Sequence, residues 1–274
     1  AIKFQTRDNK YLFSECSYNK PYDNENSFSD VYGLHREALE LKKESLIELK
    51  ECCHEHNVKF MSTPFDEPSL KLLCEVGVDI IKIASFDIGN LPFINKIANT
   101  GIPVVLSIGG GNIDQIRDSV KLLTKKIDEV SILHCVSEYP CNVDRLGLDN
   151  ISTLIKEFPE CTIGLSDHYN GPITGAIGYM KGARVFEKHA TLNRSWKGTD
   201  HAFSLEVSGF KSFVRYIRNA PLMMKPKPLD DLGSEPVFQK LGKSVVAAYD
   251  LKVGDRLSLE NLSGKIYGDQ HIPV

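Results

Sequence analysis

Two histidines and the charged residues beside them hold most of the chemistry visible in this chain. Ser166-Asp167-His168 closes one short apolar run, Thr162 to Leu165, and Glu187-Lys188-His189 closes a second, Ala183 to Phe186. A Gly- and Ala-rich helical segment, Pro172 to Lys181, lies between them. The pattern is that of a β-α-β unit with one histidine just past the C-terminal end of each strand. Parallel strands joined by one crossover helix are usually neighbours, about 4.8 Å apart. The imidazoles of His168 and His189 are therefore placed to converge on one divalent cation, with carboxylates following at Asp167 and Glu187. Taken singly, either histidine reads better as a core or solvated residue. Their equivalent positions on successive strands are what favour a metal site.

The other strand ends add to the set. They offer Lys3 and Gln5, then Thr63, then Lys82, Ser85 and Asp87, then Ser107, then His134, Ser137 and Tyr139, and finally Ser166. A lysine inside a buried parallel strand is costly without a negative partner, so Lys3 and Lys82 suggest a site for an anion. For Lys82 an ion pair with Asp79 or Asp87 is an equal alternative. Ser107 opens the run Ile108-Gly109-Gly110-Gly111, whose backbone N–H groups can face a phosphate, although turns also use glycine. Asp200 and His201, after Trp196-Lys197-Gly198, either cover the strand ends or form a plain surface loop. Of seven cysteines, Cys135 after His134 is the one placed to be a nucleophile, which would need a base and a depressed pKa.

A regular succession of elements positions these groups. Strands are expected at 1–5, 59–62, 79–84, 103–107, 130–135, 162–165 and 183–186, with helices at 43–56, 67–76, 91–99, 113–127, 148–158, 172–181 and 207–219. The strands are apolar on both parities, as buried parallel strands are. Residues 6–41 read as a long polar loop, of a length that favours function over a mere connection. Seven strands alternate with helices where a closed barrel needs eight. Either the sheet is open, or this is a (β/α)8 TIM barrel with its first βα unit absent from this span, and the start in mid-strand favours the second. The barrel would occupy 1–220, a proline-rich linker 221–239, and the start of a small β-rich module 240–274, where Lys252-Val253-Gly254-Asp255 makes a turn between two alternating runs.

Composition is that of an ordinary globular protein: 274 residues, 42% hydrophobic, 25% charged, net charge -3. No basic stripe marks a nucleic-acid partner, and no apolar run approaches the roughly 20 residues that span a membrane. The odd cysteine count and its spacing fit neither a disulfide framework nor a zinc site, which points to reduced thiols in a cytoplasmic protein.

The motifs KFQT, STPFD, KIAS, HCVSEYP, GLSDH, FEKHATL, WKGTDHAFSLE and KLGKSVVA resemble those of the sialic acid synthases, the condensing enzymes that use phosphoenolpyruvate (PEP) to make N-acetylneuraminate and related nonulosonates. The resemblance is collinear from Ala1 to about Ile272. It implies a TIM barrel followed by an antifreeze-like (SAF) domain, in a domain-swapped homodimer. It also implies that His168 and His189 bind a divalent metal, manganese first, with magnesium or cobalt as alternatives. Lys3, Lys82, Ser85, Ser107, Ser137 and Ser166 would hold PEP, and Gln5, Thr63, Tyr139, Asp87 and Asp200 would surround an amino-sugar. Glu187, Lys82 and Asp87 would be the catalytic groups. The implied reaction joins C3 of PEP to the aldehyde of an N-acylmannosamine or its 6-phosphate.

Three features depart from the family pattern. The first-strand EIG motif is absent, IGGG stands where many members have TGM, and Lys265-Ile266-Tyr267-Gly268 stands where many carry an arginine. The stretch NSFSDVYGLHREALEL resembles animal-type enzymes that use the 6-phosphate, whereas KIASFDIGNLPFI resembles pseudaminic and legionaminic acid synthases. Those branches, another 3-deoxy-sugar-acid synthase, and a non-catalytic sugar-binding barrel remain the alternatives.

Overall fold

The computed structural model describes residues 1–266 and divides into two units, Ala1–Met223 and Met224–Val274.

The first unit holds seven parallel strands: β1 (Ile2–Thr6), β2 (Phe60–Pro64), β3 (Ile80–Ile83), β4 (Val104–Ser107), β5 (Val130–Cys135), β6 (Thr162–Asp167) and β7 (Val185–Lys188). They pair in chain order from β1 to β7. Its helices are α1 (Asn9–Leu12), α2 (Glu15–Tyr18), α3 (Tyr32–Glu37), α4 (Lys43–Glu55), α5 (Glu67–Val76), α6 (Leu91–Ala98), α7 (Ile113–Thr124), α8 (Asn150–Glu157), α9 (Ile173–Met180) and α10 (Val207–Met223). All seven strands agree with the sequence expectation to within three residues at each end.

Local chemistry sets the boundaries that place the strand ends. Asp66 caps α5 by accepting from Ser69 N at 2.8 Å, Pro68 sits in its first turn, and Gly77 ends it in the left-handed region at φ 78°. Asn112 and Gln115 form a reciprocal capping box that starts α7 directly after the glycine run.

The two faces of the sheet differ sharply. The outer face, with Phe60, Ile81, Ile83, Leu106, Ile132 and Leu165, packs against helix residues such as Leu73, Ile94, Leu123 and Ile151 to make the main core. Each such side chain contributes roughly 1.5–3 kcal/mol on burial. The inner face has a small apolar plug, Met61, Val105 and Leu133 with Ile80 and Val185 against them. Above the plug, toward the C-terminal strand ends, the register puts polar groups on the same face: Gln5 beside Thr63, and Cys135 beside Ser166 beside Glu187.

The sheet curls strongly. β1 and β7 stand at opposite ends of the strand order, yet Lys3 Nζ lies 3.0 Å from Glu187 Oε1. The fold is therefore a curled, TIM-barrel-like half-barrel of seven strands.

Residues 6–41, read from the sequence as a long polar loop, carry regular structure of their own. They form α1, α2 and α3, an isolated bridge between Pro21 and Val31, and an aromatic cluster. In that cluster Tyr32 packs on Phe13 and Tyr22, and His35 packs on Tyr22 and Phe28. Aromatic residues scattered through a polar stretch carry no helical or strand period, so their contacts appear only in three dimensions. This segment also reaches the 190s, where Gly198 N donates to Asn26 Oδ1 at 2.9 Å.

In the second unit, residues 224–239 are not a bare linker. They carry a 3-10 turn at Leu229–Asp231 and begin α11 (Pro236–Leu241). Helix α10 itself runs past residue 220, with Pro221 in its last turn. A two-stranded antiparallel ribbon follows, β8 (Lys243–Ala247) with β9 (Leu262–Ile266). Of the tetrapeptide compared with the family arginine, Lys265 and Ile266 end β9, while Tyr267 and Gly268 lie outside the described residues. No helix among the described residues is long and apolar enough to cross a membrane.

Candidate active site

The C-terminal ends of the strands bring almost all the nominated side chains together on the concave face. At the centre is a charge cluster of Lys3 from β1, Lys82 from β3 and Glu187 from β7. Glu187 Oε1 meets Lys3 Nζ at 3.0 Å, and Oε2 lies 3.8 Å from Lys82 Nζ, too far for a hydrogen bond. Lys82 Nζ donates to Ile83 O at 2.9 Å and its side chain is 3% exposed. Neither Asp79 nor Asp87 is the partner of Lys82: Asp79 accepts from His54 and from Phe60 N at the other end of the strands.

Burial alone would raise the Glu187 carboxyl, but the Lys82 and then the Lys3 ammonium hold it at about 2. Burial pushes Lys82 the other way, down to about 8, against the pull of Glu187. Burial also raises the Asp87 carboxyl above its ordinary range. Asp87 sits in the 3-10 turn after β3 and accepts from Asn90 Nδ2 at 3.1 Å.

Serines surround the glycine run. Ser85 Oγ accepts from Gly109 N at 2.8 Å. A Cβ at Gly109 would lie 2.6 Å from Ser137 Oγ, 2.9 Å from Cys135 Sγ and 3.0 Å from Ser85 Oγ. The backbone at Gly109 is thus cradled by hydroxyl groups with no space for a side chain. Ser107 Oγ and Glu187 Oε2 are buried without a hydrogen-bond partner, which is expensive unless a ligand completes them. Ser166 Oγ reaches Glu187 Oε1 at 3.5 Å.

The histidine pair stands beside this cluster, with ring centroids 5.5 Å apart. His168 Nδ1 donates to Val136 O at 2.8 Å, and its carbonyl accepts from Cys141 N at 3.0 Å. This fixes the ring and leaves Nε2 as the lone-pair atom. Tyr139 packs tilted on His168 at 4.0 Å, while Phe203 packs on His189 at 5.0 Å. Burial lowers the pKa of both imidazoles, His189 to about 4, so both are neutral near pH 7 and available as ligands. Asp200 Oδ2 lies 3.6 Å from His189 Nδ1.

The described residues contain no group of three or more His, Cys, Asp and Glu side chains that could hold a metal ion, and a cation at this place would have the two imidazoles as its protein donors. Two neutral imidazoles, one with its second nitrogen already committed, fit a divalent cation that keeps open positions for substrate.

Some expectations are corrected. Asp167 does not face the imidazoles, because it alternates with Ser166 and His168 and points into the helix layer instead. Gln5, beside Thr63 at the end of β1, also accepts a hydrogen bond from Arg7 Nη2. His134 Nε2 donates to Leu146 O at 2.7 Å on the outer face, so it is no base for Cys135, which faces inward 4.0 Å from His168 Nδ1. Sequence reasoning missed Phe203 and the inward placement of Cys135. Period-two alternation along β5 could have given the second.

Two outcomes follow for the protein. Gly109→Ala should displace Ser85 and Ser137, raise the KM for an anionic substrate about tenfold, and lower the melting temperature by roughly 2–8 °C. Steady-state kinetics and circular dichroism check this. The metal-free protein should also be acid-sensitive in two stages. His189 binds a proton near 6.5 when unfolded but only near 4 when folded, so its contribution is full above pH 6.5 and is lost as pH falls toward 4. Glu187 adds a second loss from about 4.5 down to about 2. Melting temperature should be level between pH 8 and 7 and drop by on the order of 5 °C by pH 5.

Comparison with known proteins identifies relatives along nearly the whole chain. The NeuB family's sequence model matches residues 1–227. The N-acetylneuraminate-9-phosphate synthase of Drosophila melanogaster is 33% identical over 291 residues, spanning 97% of this chain and 78% of the relative. The N,N'-diacetyllegionaminic acid synthase of Campylobacter jejuni is 34% identical over 273 residues, spanning 96% and 80%. Among solved structures, N-acetylneuraminic acid (sialic acid) synthetase from Leptospira borgpetersenii, in complex with citrate, superposes with a TM-score of 0.71 at 32% identity, covering 84% of this chain and 78% of that one.

Proposed function

The chain belongs to the NeuB family, and we propose that it condenses PEP with an open-chain N-acylmannosamine-type sugar, or its 6-phosphate, to give a nonulosonate and inorganic phosphate. The observation that carries this reading is the Lys3–Glu187–Lys82 cluster beside two neutral imidazoles, with Ser107 Oγ and Glu187 Oε2 unpartnered. Two ammonium groups against one carboxylate leave a buried net positive charge, which suits a small, highly charged anion.

In this reading Lys3, Lys82, Ser85, Ser107, Ser137 and Ser166 hold the phosphate and carboxylate of PEP. Fixing both reactants lowers the entropic barrier to a bimolecular step. C3 of PEP bonds to the sugar aldehyde carbon, and positive charge develops at C2. Water adds at C2, and phosphate leaves with cleavage of the C–O bond. A carboxylate held at about 2 is a poor proton acceptor. The work of Glu187 is therefore electrostatic, facing the cationic C2. Lys82, held at about 8, is the group able to give a proton to the departing phosphate oxygen. Asp87, Thr63, Gln5, Tyr139 and Asp200 bind the sugar's hydroxyl and amide groups. His168 and His189 would hold a divalent cation, manganese first, which when bound supplies Lewis acidity toward the aldehyde oxygen. The family resemblance further supports the start of an antifreeze-like domain at residues 240–274, a homodimer and a cytoplasmic location.

Phosphate release from PEP tests the reading. N-acetylmannosamine, its 6-phosphate, and the amino-hexoses of the legionaminic and pseudaminic routes would be run side by side with Mn2+, each with an EDTA control. Sugar-dependent release, abolished by EDTA, is expected, and the accepted sugar identifies the branch. Release with none of these sugars would overturn the proposal.

A further inference from the structure

Behind the imidazole pair lies a second, fully buried cluster that faces the helix layer. The register sets Asp167 of β6 directly beside Lys188 of β7. Their side chains are 0% and 2% exposed, with Lys188 Nζ 2.7 Å from Asp167 Oδ2. Thr174, in the first turn of α9, donates its hydroxyl to the same oxygen. Asp167 Oδ1 accepts from Tyr169 N at 2.9 Å, and Lys188 Nζ donates to Tyr169 O. Both backbone polar groups of Tyr169 are therefore held from behind the sheet. His168 is the single residue between Asp167 and Tyr169, and His189 follows Lys188 directly.

Stability is a poor reason for such a pair. Two charges removed from water are often replaced by apolar residues at no loss of stability. What the cluster does supply is position. It locks the chain on both sides of His168 and ties the end of β7 to the end of β6. We propose that Asp167 and Lys188, with Thr174, are positioning residues that set the orientation of His168 and His189 for joint ligation of a divalent cation. This rests on the reading of those imidazoles as a metal pair, but the lock itself is visible without the metal, in the hydrogen bonds from Tyr169 N to Asp167 Oδ1 and from Lys188 Nζ to Tyr169 O.

The test uses the full chain and Mn2+ as the probe. Single substitutions strand a buried charge and are expected to fold poorly. The informative variant is therefore the apolar double replacement Asp167→Leu with Lys188→Met, with Thr174→Val as a milder second variant. Mn2+ affinity by titration calorimetry is expected to fall tenfold or more in the double variant, against a His168→Ala control that loses binding. Nitrogen-15 spectra of the imidazoles, recorded without metal, are expected to show one Nδ1–H tautomer for His168 in wild type and a mixture of tautomers in the double variant. A double variant that keeps both the wild-type Mn2+ affinity and the single tautomer overturns the proposal. If wild type itself binds no Mn2+, the metal reading fails. The positioning role is then decided by the tautomer signal alone, and an unchanged signal in the double variant overturns it.

Discussion

Lys82→Ala should lower kcat/KM for PEP by about a thousandfold, the range seen when a single preorganised charge or donor facing the reacting atoms is removed. Lys82 is 3% exposed and serves two ends: its charge faces Glu187 at 3.8 Å, and its hydrogen-bond capacity is only partly used by Ile83 O. Removing it leaves Glu187 paired with Lys3 alone, so the carboxyl should rise from about 2 toward its ordinary value. The net positive charge that favours an anion disappears at the same time. The effect is expected in both KM and kcat, because Lys82 both binds PEP and is the one group here able to give a proton near pH 8. Lys82→Arg should not rescue activity, because the planar guanidinium is larger and does not release its proton. Kinetics at saturating sugar, with a thermal melt to confirm folding, make the measurement. Activity within tenfold of wild type in Lys82→Ala would remove Lys82 from the mechanism.

The double variant His168→Ala/His189→Ala should lose metal-dependent phosphate release altogether, a fall of at least about ten-thousandfold if the ion polarises the aldehyde. The protein should still fold. His189 is partly exposed, and neither imidazole pairs with a buried charge on the helix side of the sheet. Because both rings are neutral near pH 7, their loss removes donors rather than charge, and PEP binding without metal should change little. Calorimetry with Mn2+ and separately with PEP distinguishes the two effects. Full activity in the double variant would mean that the cation, if used, is bound elsewhere.

Much of this architecture was legible from residues because buried parallel strands announce themselves. Short apolar runs such as Val130–Cys135, bounded by turn residues and separated by amphipathic helices, admit few alternatives. The pairing of His168 with His189 followed from the crossover rule alone. Other features stayed hidden for physical reasons. Residues 6–41 are held by aromatic packing among Phe13, Tyr22, Phe28, Tyr32 and His35, contacts that no local period encodes. Asp167 looked like a neighbour of the cation because adjacency in sequence was read as adjacency in space. Strand alternation sends it to the opposite face, where Lys188 and Thr174 meet it. The Lys3–Glu187 contact depends on how far the sheet curls between β1 and β7, which is set by the whole strand set rather than by either residue.

The most direct test of the central claim follows the oxygen that joins phosphorus to carbon in PEP. The protein would be incubated with Mn2+, PEP carrying oxygen-18 at that bridging position, and the sugar that supports phosphate release. Mass spectrometry of both products gives the answer. Condensation as described predicts that all the label appears in inorganic phosphate, matched one for one by a new nonulosonate that contains none, and that neither forms without sugar. Label retained in the organic product, or phosphate released equally well in the absence of sugar, would contradict the account.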